Sequence, residues 1–293
     1  MEEVKIFWDP LGDQLDSLGN KRIAGVPADG DTAYIRVPIR MLGIDTPETN
    51  YPTIGNPANS DDKLKELADE LKTGKYNVDQ GLIDFLVPKL ETGRAGTLQK
   101  EQGEEAKKVF KKLLDDKLTK DNGQKRNLFV YSADEPFDHY GRLLAYLSPK
   151  YTEKEKTMDE YKNRETFNYS MVANGWAAPI MIYPNLPKNR DLRKTRIAAK
   201  TALEGGHGAW ASDKMLTGYE WRMCIKLYKA IKKLKGNNTY IRESDWITRF
   251  CVDMTTLKVY YPQEYYKVQP YNRIFIWGDD VRDAVAKLNL SSV

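Results

Sequence analysis

Four carboxylates and an arginine lie within one short stretch of the chain, DGDTAYIRVPIRMLGIDTPET, which covers residues 29–49. Carboxylates repel one another, and each costs several kcal/mol to remove from water, so such a cluster needs a cation or a phosphate-like partner nearby. An apolar run just before the third carboxylate indicates that part of the stretch is buried. The stretch therefore predicts a binding site for charged groups. Among its charged residues are Asp29, Asp31, Arg40, Asp45 and Glu48.

The other residue types in the chain limit which cation could bind. Only two histidines and two cysteines occur, and the cysteines, Cys224 and Cys251, show no CxxC spacing. This nearly excludes a zinc site and a histidine-based nuclease. A hard cation with oxygen ligands stays open. The two cysteines are expected to be reduced and buried, and a disulfide is the alternative.

The composition is that of a soluble globular protein. Of the 293 residues, 30% are charged and 41% are hydrophobic, which allows a large core. No apolar run approaches the roughly 20 residues that span a bilayer, so no membrane partner is expected. The N terminus, MEEVKIFWDPLGD, is acidic and lacks the apolar centre of a signal peptide. The sequence as written predicts a cytoplasmic protein, and a removed leader is the alternative.

Positive charge is concentrated in one part of the chain. The formal net charge is +4, yet residues 188–235 hold thirteen Lys and Arg against four Asp and Glu, a net charge of +9. One predicted helix in this part carries Arg222, Lys226, Lys229 and Lys233 along one side. Basic stretches of this kind favour phosphate backbones, and a merely solvated helix face is the alternative.

Hydrophobic periodicity predicts a mixture of strands and helices. The N-terminal half is predicted to hold strands at VKIFW, at residues 33–44 with a break at Pro38, and at residues 125–132 and 141–148, with residues 133–140 as a connection. Helices are expected at residues 62–74, 79–96, 104–116, 166–175, 189–206, 218–236 and 278–290, and further strands at residues 248–268 and 273–277.

Several ordered motifs resemble the staphylococcal nuclease family, also called thermonucleases. They are DGDT at 29–32, RMLGIDTPET at 40–49, DHYGRLLAYL at 138–147, ANGWA at 173–177 and LRKTRIAAK at 192–200, followed by Trp210. The resemblance covers residues 1–213, apart from an insertion at residues 51–100. It implies an α+β fold: a five-stranded OB-type Greek-key barrel with three helices. A helical insertion and a small α+β C-terminal extension at residues 214–293, of unknown role, would be added to it.

The resemblance also implies a calcium-dependent phosphodiesterase that acts on DNA, RNA or both with low sequence specificity. By match, Asp31, Asp45 and the backbone carbonyl of Thr46 are metal ligands, and Asp29 reaches the metal through water. Glu48 also matches an acidic position that reaches the metal through water. Arg40 and Arg142 match the arginines that contact the scissile phosphate. Tyr140 and Tyr183 match tyrosines of the nucleotide pocket, and His139 replaces a lysine that touches a nucleotide phosphate.

The chemistry of phosphodiester hydrolysis agrees with these residue types. The reaction needs a positioned water, a base, and positive charge where the phosphorus gathers negative charge. A calcium ion among carboxylates is a Lewis acid that orients the phosphate. Glu48 could accept the water's proton. Arginine suits the phosphate because its planar fork donates two hydrogen bonds and keeps its charge.

Other interpretations of the same residues stay open. Asp29 could belong only to a turn, and Glu48 could form a structural salt bridge with Arg40 or Arg142. The alternative function is a catalytically weak barrel that binds nucleic acid or protein. A protein-interaction scaffold is compatible with either. The insertion is expected to pack beside the active site, because it begins directly after Glu48.

Overall fold

The computed structural model describes residues 21–26, 30–51, 55–158 and 165–291, without the side chains of residues 134 and 135. The predicted strand VKIFW and the predicted ligand Asp29 lie outside the described residues. The chain divides into two compact units. One comprises residues 1–41 and 131–145, and the other comprises residues 42–130 and 146–293.

The described residues form eleven strands and eight α-helices. The strands are β1 Arg22–Ile23, β2 Ile35–Arg36, β3 Ile39–Met41, β4 Ile44–Asp45, β5 Leu128–Phe137, β6 Leu143–Pro149, β7 Ala178–Pro179, β8 Met181–Ile182, β9 Arg249–Asp253, β10 Val259–Tyr260 and β11 Arg273–Trp277. The helices are α1 Asp61–Lys72, α2 Gln80–Leu90, α3 Ala95–Leu118, α4 Glu153–Lys156, α5 Phe167–Ala173, α6 Asn189–Glu204, α7 Gly218–Lys232 and α8 Val281–Leu288.

The strands build four sheets. Two are pairs, β1-β2 and β4-β7; the others have the orders β3-β6-β5 and β10-β9-β11-β8. The mixed α+β content expected from the sequence is confirmed, whereas the described strands close no barrel. The chain changes sheets within a few residues: Pro38 separates β2 from β3, as predicted, and Gly43, with a φ of +71°, turns β3 into β4. Strands this short pair with different partners.

The predicted connection at residues 133–140 is corrected by the structure. Strand β5 continues through most of it and ends at Phe137, so the turn is confined to the residues around Asp138 and Gly141. Gly141 has a φ of +68°, which a tight turn needs. Pro136 fits within the strand because β5 lies at the edge of its sheet, where a missing backbone donor is tolerated.

The insertion and the C-terminal extension contribute to the same hydrophobic core of the second unit. Apolar faces of α1 and α2 pack with α7 and with residues of the four-stranded sheet. Fully buried members from these elements include Leu64, Leu67, Leu82, Leu86, Leu90, Trp221, Cys224, Leu227 and Cys251. Cys224 and Cys251 are both buried free thiols, as expected from the sequence. No helix in the described ranges is long and apolar enough to cross a bilayer.

Candidate functional site

The segment that carries Asp45 is fixed on both sides by backbone and amide hydrogen bonds. Strand β4 pairs antiparallel with β7, and Asp45 lies opposite Ala178. Just before it, the Gly43 carbonyl accepts a hydrogen bond from the Ile180 amide at 3.0 Å. The Leu42 carbonyl accepts one from Nδ2 of Asn168 at 2.8 Å. The backbone of Asp45 is therefore held at one place in the second unit.

The carboxylates of Asp45 and Glu48 converge on the guanidinium of Arg222. Nη2 of Arg222 donates to Oδ1 and Oδ2 of Asp45 at 3.0 and 2.9 Å, and Nη1 donates to Oε1 of Glu48. The Asp45 side chain is 2% exposed, while those of Glu48 and Arg222 are 28% and 25% exposed. Burial opposes the charge of Arg222, but the two carboxylates outweigh burial and raise its pKa above the ordinary value.

Helix α7 brings Arg222 to this position through its first turn. Thr217 caps the helix and forms a capping box with Glu220. The next residue, Gly218, lies so close that a Cβ there would be 2.7 Å from Oδ2 of Asp45 and from the Thr46 carbonyl oxygen. Only glycine fits such an approach. The N-terminus of α7 therefore lies directly against Asp45, and its dipole favours the carboxylate's negative charge.

The insertion contacts the same segment from its third helix. The buried Gln99 amide, oriented so that both contacts are satisfied, accepts a hydrogen bond from the Glu48 amide at 2.8 Å. It donates to the Leu216 carbonyl at 3.0 Å. A Cβ at Gly103 would lie 3.0 Å from the carbonyls of Pro47 and Glu48. Gln99, near the end of the insertion, and Gly103, just beyond it, thus pack against the segment that carries Glu48, and Gln99 joins this segment to the residues preceding α7.

The two predicted phosphate arginines occur together in the first unit. Strand β3 runs parallel to β6, with Arg40 opposite Leu144, and Arg142 is two residues before Leu144. The amide of Leu143 donates to the Pro38 carbonyl at 2.9 Å, so the ladder extends to the residue next to Arg142. Arg40 therefore lies within β3, and Arg142 directly precedes the neighbouring strand β6.

Asp138 fixes the orientation of Arg142. Its Oδ2 accepts hydrogen bonds from Nε of Arg142 at 2.7 Å and lies 2.7 Å from Nη2. Its Oδ1 accepts from the amides of Tyr140 and Arg142, both at 3.0 Å. Arg142 outweighs the effect of burial and lowers the pKa of Asp138. The arginine is thus positioned by the turn that precedes its strand, with its side chain still 39% exposed.

The other predicted site residues are distributed over both units. In the first unit, Tyr140 is exposed and its ring lies 3.7 Å from that of His139, centroid to centroid. Asp31 is exposed and accepts a hydrogen bond from the Thr32 hydroxyl at 3.1 Å. In the second unit, Tyr183 is 5% exposed and its hydroxyl donates to Asp283. The hydrogen bond to Asp283 raises the pKa of Tyr183. The role of Tyr183 in nucleotide binding stays a prediction.

Whether these residues could hold a metal depends on their donor atoms. Among the described side chains, no group of three or more His, Cys, Asp or Glu is arranged to hold a metal ion. The guanidinium of Arg222 nevertheless lies between the carboxylates of Asp45 and Glu48. A positive ion bound by both carboxylates would take the same position. Carboxylate oxygens are the donors that calcium prefers. The chemistry of this pair therefore fits a hard cation.

Arg222 contacts two of the predicted site residues, although the sequence does not predict that it belongs to the site. The sequence predicts that Arg222 lies on a basic stripe with Lys226, Lys229 and Lys233. In the structure it is half-buried and bound to two acidic residues. The three lysines are exposed. Burial, Arg249 and Arg222 all lower the pKa of Lys226, which indicates a positive potential on this part of the surface. The signal available in the sequence was local: Arg222 stands between two apolar residues in EWRMC.

The revised stripe gives a testable prediction. Replacing Lys226, Lys229 and Lys233 together by glutamine should weaken binding of a long single-stranded oligonucleotide and flatten its salt dependence. If each lysine contacts one phosphate, the slope of log affinity against log salt should fall by about 0.7 per lysine. The measurement is fluorescence anisotropy at several salt concentrations. A control variant with Lys107, Lys108 and Lys111 of α3 replaced removes the same charge elsewhere, and equal slopes in the two variants would contradict the prediction.

Comparison with known families gives one match. Residues 38–212 match the family model described as staphylococcal nuclease homologue. No curated protein matches the chain. The matched range includes Arg40, Asp45, Glu48 and Arg142 and ends before α7, so Arg222 lies outside it.

Proposed function

The chain belongs to the staphylococcal nuclease homologues, and from this membership we propose that it hydrolyses phosphodiester bonds of DNA or RNA with low sequence preference. Membership by itself indicates a nuclease-type or nucleic-acid-binding function. The observation that carries the finer proposal is the convergence of Asp45 and Glu48 on one cationic group, within a matched range that also contains Arg40 and Arg142.

The proposed division of the chain follows the same reasoning. Residues 1–213 form the nuclease-like domain, with residues 51–100 inserted, and residues 214–293 form an extension. The end of the family match at residue 212 supports this boundary. The five-stranded OB-type Greek-key order of the nuclease-like domain, with three helices, is also part of the proposal, and its support is the resemblance of the ordered motifs.

The acidic residues would supply the metal site and the base. Asp45 and the Thr46 carbonyl, with Asp31 and Asp29 by resemblance, would hold a calcium ion, which supplies a Lewis acid and orients the phosphate. Glu48 accepts a proton from the attacking water. It can do so only through a carboxylate oxygen that does not already accept a hydrogen bond from a guanidinium. In the described arrangement Oε1 of Glu48 already accepts a hydrogen bond from Arg222, so Oε2 would have to take the proton.

The arginines and aromatic residues would bind the substrate. Arg40 and Arg142 donate hydrogen bonds to phosphate oxygens and stabilise the negative charge that gathers there. Asp138 holds the Arg142 fork in one orientation before substrate arrives. Tyr140 and His139, whose exposed rings lie side by side, would contact a base or a neighbouring phosphate. Tyr183 completes the substrate residues by resemblance.

The second candidate function is binding of nucleic acid or protein without hydrolysis. The bound state of Asp45 and Glu48 favours it, because both carboxylates that the reaction needs are neutralised by Arg222. The arginine pair of the first unit would still bind phosphates in such a protein. The two candidates differ in a single measurable property, which is cleavage.

Metal dependence of cleavage is the expected outcome that tests the proposal. Plasmid DNA and a long RNA are incubated with the protein in calcium, in magnesium and in excess chelator. Cleavage should occur with calcium and disappear with chelator, because the donor set is made of oxygen atoms. Magnesium should support less, since it demands a stricter octahedral shell.

A Glu48→Gln variant shows whether any cleavage belongs to this protein or to a contaminant. Full activity in chelator would contradict the metal part of the proposal. Binding of nucleic acid without cleavage in every condition would favour the second candidate.

A further inference from the structure

The C-terminal extension supplies a cation to an acidic pair that belongs to the nuclease-like domain. Arg222 lies beyond the family match, whereas Asp45 and Glu48 lie inside it. Both oxygens of Asp45 receive hydrogen bonds from the same nitrogen of Arg222. The arginine thus occupies the carboxylates that the proposed function assigns to a metal site and a base.

We propose that Arg222 and a divalent cation are alternative partners of Asp45 and Glu48, so that the extension sets how tightly this site binds calcium. The inference rests on the proposed function for the identity of the metal. Its content is separate: Arg222 must leave Asp45 before a divalent cation can bind there, and an otherwise identical chain without Arg222 binds that cation more tightly.

The first reason is electrostatic. Calcium binds carboxylate oxygens at about 2.3–2.6 Å. The guanidinium nitrogen is already 2.9 and 3.0 Å from the two Asp45 oxygens. A calcium ion on those oxygens would lie next to the guanidinium, and around the almost fully buried Asp45 carboxylate charges are weakly screened. The two positive charges would therefore repel each other, which disfavours binding of both at once.

The second reason is that the backbone of Arg222 has no room to retreat. Its neighbours Trp221 and Met223 are buried in the core, and Gly218 contacts Asp45 without space for a side chain. Exchange must therefore proceed by rotation of the Arg222 side chain, which is 25% exposed and can swing towards solvent. The helix itself can stay docked.

The third reason is the cost that an empty site would carry. A buried carboxylate that loses its cationic partner is destabilised, and Asp45 is almost fully buried. Arg222 removes this cost when calcium is absent, and calcium removes it when Arg222 has left. Each partner thus stabilises the same carboxylate, which is the condition for competition between them.

The test is calcium binding by isothermal titration calorimetry on the full chain. The proteins are wild type, Arg222→Met, and the control Lys226→Met, which removes a positive charge one turn further along α7 without a contact to Asp45 or Glu48. Arg222→Met should bind calcium at least about tenfold more tightly than wild type, because the guanidinium no longer competes with calcium for the oxygens of Asp45 and Glu48. The control should stay within about twofold of wild type, since exposed charges are screened.

Thermal unfolding gives a second readout that also detects a folding defect. Without calcium, Arg222→Met should melt at a lower temperature than wild type, because the buried Asp45 carboxylate loses its guanidinium partner. Saturating calcium should raise its melting temperature more than that of wild type. If Arg222→Met fails to fold even in calcium, Arg222→Lys replaces it; one ammonium cannot match the planar fork, so this variant should bind calcium with intermediate affinity.

Two results would overturn the inference: equal or weaker calcium affinity in the Arg222 variants than in wild type, or no calcium binding by any of the proteins. These results are distinguishable from failure of the proposed function. Wild-type cleavage with unchanged affinity in the variants rejects the competition and leaves the nuclease. Tighter calcium binding by Arg222→Met with no cleavage by any protein rejects the nuclease and leaves the competition.

Discussion

Replacing Arg142 by alanine is expected to lower the rate of phosphodiester cleavage about 10³-fold, since this is the size of effect produced by removing one preorganised group that stabilises transition-state charge. The proposed role of Arg142 is to donate hydrogen bonds to the phosphate as negative charge gathers on it. That charge is greater in the transition state than in the bound substrate. The loss should therefore be seen in kcat as well as in kcat/KM.

The fold should tolerate this change. The Arg142 side chain is partly exposed, so no large cavity is created. Asp138, the carboxylate partner of Arg142 in the turn, keeps the backbone amides of Tyr140 and Arg142 as donors to Oδ1. Asp138 also remains near enough to solvent to be hydrated once the guanidinium is gone. The variant should thus keep its melting temperature within a few degrees, because surface pairs contribute little.

The matched control for this experiment is Arg36→Ala. Arg36 is an exposed arginine of the same unit, in the pair of strands β1 and β2. It removes the same charge without touching the turn at Asp138. Initial rates on one oligonucleotide substrate, with saturating calcium, decide the outcome. Cleavage by Arg142→Ala at the rate of the control, in a protein that is still folded, would show that the role transferred to Arg142 by resemblance is wrong.

Features that depend on neighbouring residues could be predicted from the sequence. The helices of the insertion follow from apolar residues at helical spacing, and the capped start of α7 follows from Thr217 and Glu220. The break at Pro38 follows from its missing backbone donor. In each case the cause and the effect lie within a few positions along the chain. Even so, the strand predicted from the sequence is shorter than β5. Turn-forming residues show that a turn is present more clearly than they show where it begins and ends.

Features that depend on distant residues could not be predicted. Arg222 is 177 positions from Asp45 and 174 from Glu48. An arginine on a basic helix is usually exposed, and nothing in its own segment indicates a buried carboxylate partner elsewhere. The sequence allows a structural salt bridge of Glu48, and the partners that it suggests are Arg40 and Arg142 of the nuclease motifs. The structure shows the pair with an arginine of the extension instead.

The same reason explains why the role of the insertion was only partly foreseen. Its apolar faces are visible in the sequence, but a periodic pattern does not identify the surface that covers it. The structure places α1 and α2 in one core with α7. A family member without the extension would need another cover for these faces. Helices α1, α2 and α7 therefore share one core, and Gln99 and Arg222 both contact the segment from Asp45 to Glu48.

A buried ion cluster connects these two added parts, and breaking it should cause a large loss of stability. Glu220 of α7 is buried, and its Oε1 lies 3.3 Å from Nη1 of Arg273 in β11. Its Oε2 lies 3.7 Å from Nζ of Lys89 in α2 and accepts a hydrogen bond from the Thr217 amide at 3.0 Å. Removing one member of such a cluster leaves the others charged and buried without a partner.

Glu220→Gln is therefore expected to lower the free energy of unfolding by about 3–5 kcal/mol at neutral pH, the range found when a buried ion pair loses one partner. Burial alone would raise the pKa of Glu220, but Lys89 and Arg273 outweigh burial and lower it below the ordinary 4.5. A carboxyl whose pKa is lowered on folding stabilises the protein above its ordinary pKa. This contribution is lost as the pH falls through the lowered value.

The difference in unfolding free energy between wild type and Glu220→Gln should consequently be largest near neutral pH and shrink as the pH falls below 4.5, the ordinary pKa of the group. Urea unfolding followed by circular dichroism, between about pH 7 and about pH 3.5, measures this difference. Glu105→Gln is the control, because Glu105 pairs with Lys108 at an exposed site of α3 and should cost less than about 1 kcal/mol. A loss of stability in Glu220→Gln no greater than in this control, or one that does not change with pH, would contradict the view that the Glu220 charge holds the insertion and the extension together.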